Sequence, residues 1–149
     1  MLVDMSFMSK FYVQGKDAGA LLNRLSTNNV DGDTGMITYT QWLDGSGHMQ
    51  ADLTVTKLKA DKFMVVATDT MHRHVETWME RHIEDDLHCH ACVVTDVTAG
   101  VAQINVQGPK AREIMAAVTS ADMSDAAFPF RAAKTIDVGC AELTCCRIT

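Results

Sequence analysis

The stretch from Met36 to Leu58 constrains the fold more than any other part of the chain. Met36-Ile37-Thr38-Tyr39-Thr40-Gln41-Trp42-Leu43 is dense in β-branched and aromatic residues, Asp44-Gly45-Ser46-Gly47 is a cluster of turn formers, and Met49 to Leu58 returns to strand character. Two such runs joined by so short a turn predict a β-hairpin. After a second turn at Ala60-Asp61-Lys62, the continuous apolar run Phe63-Met64-Val65-Val66-Ala67 predicts a strand covered on both faces.

Helical periodicity brackets this strand region. Gly15-Lys16-Asp17 introduces Ala18, Leu21, Leu22 and Leu25 at the spacing of one helical face, ending near Ser26-Thr27-Asn28-Asn29. From Asp69-Thr70, Met71, Val75, Trp78, Met79 and Ile83 form a second stripe, with Arg73, Glu76, Glu80 and Arg81 on the other face. Phe11-Tyr12-Val13, Ala91-Cys92-Val93-Val94 and 101–106 read as strands, Gly108-Pro109 as a turn, and Ala111 to Val118 as a third helix. Thr135 to Val138 and Ala141 to Ile148 are strand-like again. The alternation predicts an α+β fold, with mixed, mainly antiparallel sheets and helices on one face, built from split βαβ units of the ferredoxin-like kind. At 149 residues with 47% hydrophobic positions, one core is expected.

Charge and hydropathy narrow the partners. A net charge of -6 provides no basic footprint for nucleic acid. No apolar run approaches the ~18 residues of a membrane span, and Asp4 and Ser6 interrupt the stretch where a signal peptide would be apolar. The expectation is a soluble, cytoplasmic protein. Five cysteines, an odd number that includes the adjacent Cys145-Cys146, fit reduced thiols better than a disulfide framework.

Most constellations that carry chemistry elsewhere have a plainer reading here. His88, His90 and Cys92 alternate, which on a strand would put them on one face, and His72, His74 and His82 lie on the preceding helix. Without paired C-x-x-C spacing, no metal is expected. Cys145-Cys146 lacks a defined base, and the methionines Met71 and Met79 fit core filling. Neither Gly45-Ser46-Gly47 nor Gly108-Pro109 has a phosphate-cradling pattern. Asp52 differs: it is a carboxylate between Ala51 and Leu53 on an otherwise apolar strand, and a buried carboxylate is costly unless paired. Its side chain is expected to face the interior, close to Tyr39, or else to point to water from an edge strand.

Tyr39 to Thr56, together with Lys10 to Ala18 and Val106-Gln107-Gly108-Pro109-Lys110-Ala111-Arg112, resembles the folate-binding aminomethyltransferase family, typified by the T protein of the glycine cleavage system. Tyr39-Thr40-Gln41, Ala51-Asp52-Leu53-Thr54-Val55-Thr56 and Phe128-Pro129-Phe130 are similar to the folate domains of dimethylglycine and sarcosine dehydrogenases. The resemblance implies a three-lobed T-protein fold that binds tetrahydrofolate in a central hole and transfers an aminomethyl or methylene unit from an amine donor. It makes Asp52 the catalytic acidic residue that also contacts the folate aryl amine, and Tyr39 the cofactor-binding aromatic beside it. A fixed anion there would stabilise a cationic methylene-iminium donor or accept a proton from the attacking amine.

The resemblance also implies a wider setting. FAD is expected only in a separate N-terminal domain of a dehydrogenase-like parent, a lipoyl carrier protein as partner in a true glycine cleavage system, and the mitochondrial matrix as location in a eukaryote. Family members carry an N-terminal segment and a C-terminal lobe with a Gly-Glu-x-Gly-aromatic-Glu motif, so residues 1–149 are expected to be an internal fragment, inactive alone. Two alternatives stay open on the same fold: a folate-dependent demethylase acting on a sulfonium or methoxyl donor, and a non-catalytic folate-binding module for iron–sulfur assembly. Thiol titration of freshly purified protein should return all five cysteines. A stable value of three or one without oxidant would contradict a reducing compartment.

Overall fold

The computed structural model describes residues 1–85 and 89–149. Its elements follow in the order β1 (Leu2–Asp4), β2 (Ser9–Gln14), α1 (Ala18–Leu25), β3 (Ile37–Leu43), β4 (Met49–Lys59), β5 (Lys62–Ala67), α2 (His72–Asp85), β6 (Val93–Asp96), β7 (Ile104–Val106), α3 (Ala111–Val118), β8 (Ala133–Val138) and β9 (Ala141–Cys146). Five strands form the main sheet in the order β3-β4-β5-β2-β6, and β1-β7 and β8-β9 make two small ribbons. Every neighbouring pair among the described strands is antiparallel. Because β2 lies between β5 and β6 and opposes both, β5 and β6 run parallel with α2 as their crossover, which is a split βαβ unit.

Turn chemistry sets the hairpin register. Asp44 Oδ1 accepts the backbone N–H of Ser46 at 2.8 Å and of His48 at 3.0 Å, while Gly47 takes a φ of 86° that side chains disfavour. Those bonds, that of His48 first, hold the Asp44 carboxyl below its ordinary pKa. A bulge after Trp42 absorbs one residue before Leu43 pairs with Met49. The resulting register places Trp42 opposite Ala51, Thr40 opposite Leu53 and Thr38 opposite Val55.

Strand alternation then separates the two faces of the sheet. Ala51, Leu53, Val55, Phe63, Val65, Ala67, Phe11, Val13 and Trp42 point to one side and are buried against Leu21, Leu22 and Leu25 of α1 and Val75 and Met79 of α2. The polar edge of Trp42 is satisfied, its Nε1 donating to Ser26 Oγ at 3.1 Å. Helices therefore cover one face, as the periodicity predicts. On the other face lie Tyr39, Gln41, Asp52, Thr54, Met64, Val66 and Tyr12. Met64 and Val66 are half-buried there, so β5 is not fully covered on both sides; the apolar residues of α1 and α2 pack on the opposite face.

Lys10 occupies the same open face, yet it is only 1% exposed. Its Nζ donates to the carbonyls of Ser6 at 3.0 Å and Met8 at 2.6 Å, which ties the turn after β1 down over the strand. Burial lowers the Lys10 pKa, with Asp96 and Asp4 acting in the opposite sense. On the helix-covered side, Ser9 Oγ lies 3.0 Å from His72 Nδ1, whose Nε2 lies 3.2 Å from Asp96 Oδ2. This serine–histidine–aspartate chain joins β2, α2 and β6, but Ser9 is fully buried and cannot meet a substrate. It works as a structural tie.

Some boundaries shift from the sequence reading. Residues 91 and 92 precede β6, because the Ala91 N–H donates to Asp17 Oδ2 at 2.8 Å rather than to a strand neighbour. The strand expected over 101–106 shortens to Ile104–Val106, and that expected to reach Ile148 ends at Cys146. No helix among the described residues is long and apolar enough to cross a membrane.

The docking of residue 91 requires glycine at position 15. Gly15 has a φ of 131°, and a Cβ there would lie 2.1 Å from the Ala91 carbonyl oxygen. Gly15→Ala is expected to cost roughly 2–4 kcal/mol by combining backbone strain with displacement of that segment. Gly47→Ala, whose Cβ would meet nothing within 4 Å, should cost only about 1 kcal/mol for its positive φ. Urea midpoints of the two variants test the ranking; equal costs would contradict it.

Candidate functional site

Asp52 and Tyr39 do come together, on the open face of the sheet and not inside the core. Gln41 sits opposite Asp52, and its Nε2 donates to Asp52 Oδ1 at 3.0 Å. Tyr39 is one pair further along, opposite Thr54 and therefore diagonal to Asp52 on the same face. A hydrogen bond to the Asp52 carboxylate is the chief reason the Tyr39 phenol is held above its ordinary pKa, with Gln41 acting in the opposite sense.

The expectation of an interior Asp52 is corrected by the period of two. Since Ala51, Leu53 and Val55 fill the core, the residue between the first two must face the other way, and Asp52 is exposed. Its charge is accommodated by Gln41 and Tyr39 rather than by burial. Tyr39 itself is 58% exposed, a large apolar ring presented on a sheet face instead of being packed away. Next to this polar corner, the half-buried Met64 and Val66 supply an apolar floor, with Thr54 opposite Val66.

Along β3 lies an open cleft of about 310 Å³ lined by Asn28, Asn29, Thr38, Tyr39 and Arg131. Three chain segments meet there. The turn after α1 is pinned by Asn28 Nδ2 donating to the Tyr39 carbonyl at 2.8 Å, and Arg131 reaches β3 from the segment before β8. Arg131 is the one member that sequence reasoning could not find, because no local pattern signals a contact spanning 94 residues. Asn28 and Asn29 read only as a helix end.

The other sequence candidates are not gathered into a site. His88 lies outside the described residues; His90 is exposed and Cys92 buried, both ahead of β6, so they do not share a strand face. Among the described residues no three His, Cys, Asp or Glu side chains cluster as metal ligands. Cys146 is pushed up to about 11 by burial, with Cys145 adding to the shift, so its thiol stays protonated at neutral pH and is a poor nucleophile. Burial and the neighbouring Cys89 likewise push Cys92 up to about 11.

With this geometry in hand, similarity to known proteins is informative. The GCVT N-terminal domain matches residues 1–149. The chain is 30% identical to a 4-methylaminobutanoate oxidase (formaldehyde-forming) of Paenarthrobacter nicotinovorans, over 93% of the chain and 16% of that protein. It is 27% identical to the mitochondrial dimethylglycine dehydrogenase of Homo sapiens, over 99% of the chain and 17% of that protein. The crystal structure of the glycine cleavage system aminomethyltransferase T from Bartonella henselae superposes with a TM-score of 0.70 at 21% identity, covering 91% of the chain and 36% of that structure. The fold is thus that of a T protein, and the chain spans about a sixth of the length of the two curated relatives.

The pairing of Tyr39 with Asp52 has a direct readout. In a Tyr12→Phe background, which leaves one tyrosine, Asp52→Asn should lower the phenol pKa toward its ordinary value, because the anion that disfavours phenolate is gone. Ultraviolet titration of the phenolate band measures it. An unchanged pKa would separate the two side chains.

Proposed function

The chain belongs to the aminomethyltransferase family defined by the GCVT N-terminal domain, and on that premise we propose that its open sheet face binds tetrahydrofolate for one-carbon transfer from an amine donor. The observation that carries this reading is the Tyr39–Asp52 pair beside the Met64–Val66 floor. A flat heteroaromatic group with amine donors needs an apolar surface to lie on and an acceptor at its edge, and this face offers both. The residues present fit such a ligand: Met64, Val66 and Tyr39 would hold its rings, and Asp52 with Gln41 its polar edge.

Bound folate supplies the amine that receives the one-carbon unit. The chain's own contribution is electrostatic and geometric. The Asp52 carboxylate, oriented by the Gln41 amide at 3.0 Å, is a fixed anion where positive charge on a one-carbon donor would collect. It also offers an oxygen to accept the proton that an attacking amine must lose. Tyr39 stands diagonal to Asp52 on the same face, where the carboxylate raises the pKa of its phenol. The same reading places the protein in a reducing compartment, where its cysteines remain thiols.

Asp52→Asn in the protein that carries this chain tests the assignment. Asn preserves size and hydrogen bonding but not charge, so tetrahydrofolate affinity should stay within about tenfold while one-carbon transfer falls by ~10²–10⁴. The ratio of methylene-tetrahydrofolate to free formaldehyde, with calorimetric binding alongside, reads both. Absence of tetrahydrofolate binding in the wild type, or an unchanged product ratio in the variant, would overturn the proposal.

A further inference from the structure

The end of the open face remote from Asp52 gathers lysines, although the chain as a whole carries a net charge of -6. A cleft of about 410 Å³ runs there between the β4–β5 hairpin and the β8–β9 ribbon. Among the described residues it is lined by Lys57, Lys59, Lys62 and Lys134 and by no Asp or Glu. One glycine ties the two walls together. Gly35 N–H donates to the Lys57 carbonyl at 2.7 Å, and the Gly35 carbonyl accepts the Ala133 N–H at 2.7 Å. Gly35 has a φ of 85°, and a Cβ there would lie 3.0 Å from the Ala133 carbonyl oxygen, so this close approach of the walls requires glycine.

Two of the four ammonium groups are already engaged. Lys57 Nζ meets Asp31 Oδ1 at 2.7 Å, and Lys134 Nζ donates to the Ala127 carbonyl. Lys59 and Lys62 differ. They stand opposite each other where β4 turns into β5, and neither pairs with a carboxylate among the described residues, Asp61 in the turn between them included. Like charges facing each other across a strand pair repel, and a bound anion would relieve them. Lys62 Nζ lies 3.9 Å from the centre of the Tyr12 ring, which holds that cation over the open face. From the opposite wall the ribbon presents hydroxyls. Thr135 pairs with Thr144, so both side chains lie on one face of the ribbon; both are exposed, and neither hydroxyl has a partner among the described residues.

We propose that this cleft binds a phosphate-bearing anion, with Lys59 and Lys62 supplying charge from one wall and Thr135 and Thr144 hydroxyl donors from the other. The donor set selects the chemistry. A planar carboxylate is best met by the fork of a guanidinium, and no arginine lines the cleft. Lysine acts as a point charge, and rotatable ammonium and hydroxyl groups suit a tetrahedral oxyanion that accepts from several directions. Two unpaired cations also call for more than one negative charge, as a diphosphate carries. Lys59 lies seven positions beyond Asp52 on β4, on the order of 20 Å at the rise of a strand, so the inference is independent of the role read for Asp52.

Inorganic pyrophosphate is the probe, titrated calorimetrically into the full chain at low and high salt in a buffer free of phosphate, beside a tripeptide of glutamate. Wild type should bind pyrophosphate about tenfold more tightly than the tripeptide, and the affinity should fall about fivefold or more at high salt. Lys59→Gln and Lys62→Gln should each weaken pyrophosphate by about five- to tenfold, and Thr144→Val by about threefold.

Lys62→Gln also removes the contact with Tyr12, so Lys59→Gln, at an exposed position, provides the test if Lys62→Gln does not fold. No pyrophosphate binding by the wild type, an affinity indifferent to salt, or an affinity unaltered in Lys59→Gln would overturn the site. A glutamate tripeptide that binds as tightly as pyrophosphate would overturn it too, by showing that the cleft receives carboxylates and not phosphate.

Discussion

Everything at the candidate site depends on the register between β3 and β4. With Gln41 opposite Asp52, alternation sends Trp42, Ala51, Leu53 and Val55 into the core and leaves Tyr39, Gln41, Asp52 and Thr54 together on the open face. A slip of one residue would bury the Asp52 carboxylate against α1 and expose the apolar set, which is costly on both counts. The register is held at one end by the Asp44 turn and its bulge, and at the other by Ile37, whose N–H donates to the Arg131 carbonyl and whose own carbonyl accepts Arg131 Nε. Core packing and site assembly are thus consequences of one pairing.

The same sheet uses its two faces for different purposes. Helices α1 and α2 seal one face with leucine, valine and methionine. The opposite face is partly closed where Lys10 pins the Ser6 and Met8 carbonyls, and it is open where Tyr39 and Asp52 stand. A half-apolar surface held flat by a packed core on its reverse side is rigid without being full. That is what a ligand platform requires, since the groups that meet a ligand need not be reorganised when it arrives.

Much of this was legible in the sequence because the signals were local. The i, i+3, i+4 leucines of α1, the turn residues at 44–47 and the stripe of Val75 and Met79 each act over a few residues, and those elements form where they were expected. The apolar neighbours of Asp52 report the composition of the strand and not the face it takes, which the period of two decides. The apolar run of β5 is likewise silent on this point, since continuous hydrophobicity does not say that both faces are covered by helices. Arg131 and the turn at Asn28 and Asn29 were invisible, for their meeting depends on long-range contacts with β3 that no local pattern encodes.

The central claim is that the open face of the sheet, and not the helix-covered side, receives the ligand. A crystal structure of the protein bound to 5-formyl-tetrahydrofolate tests it most directly. The account predicts the folate rings against Met64, Val66 and Tyr39, with a ring or bridging nitrogen within hydrogen-bond reach of the Asp52 carboxylate. Density for the folate elsewhere, with Tyr39 and Asp52 still facing solvent, would contradict it.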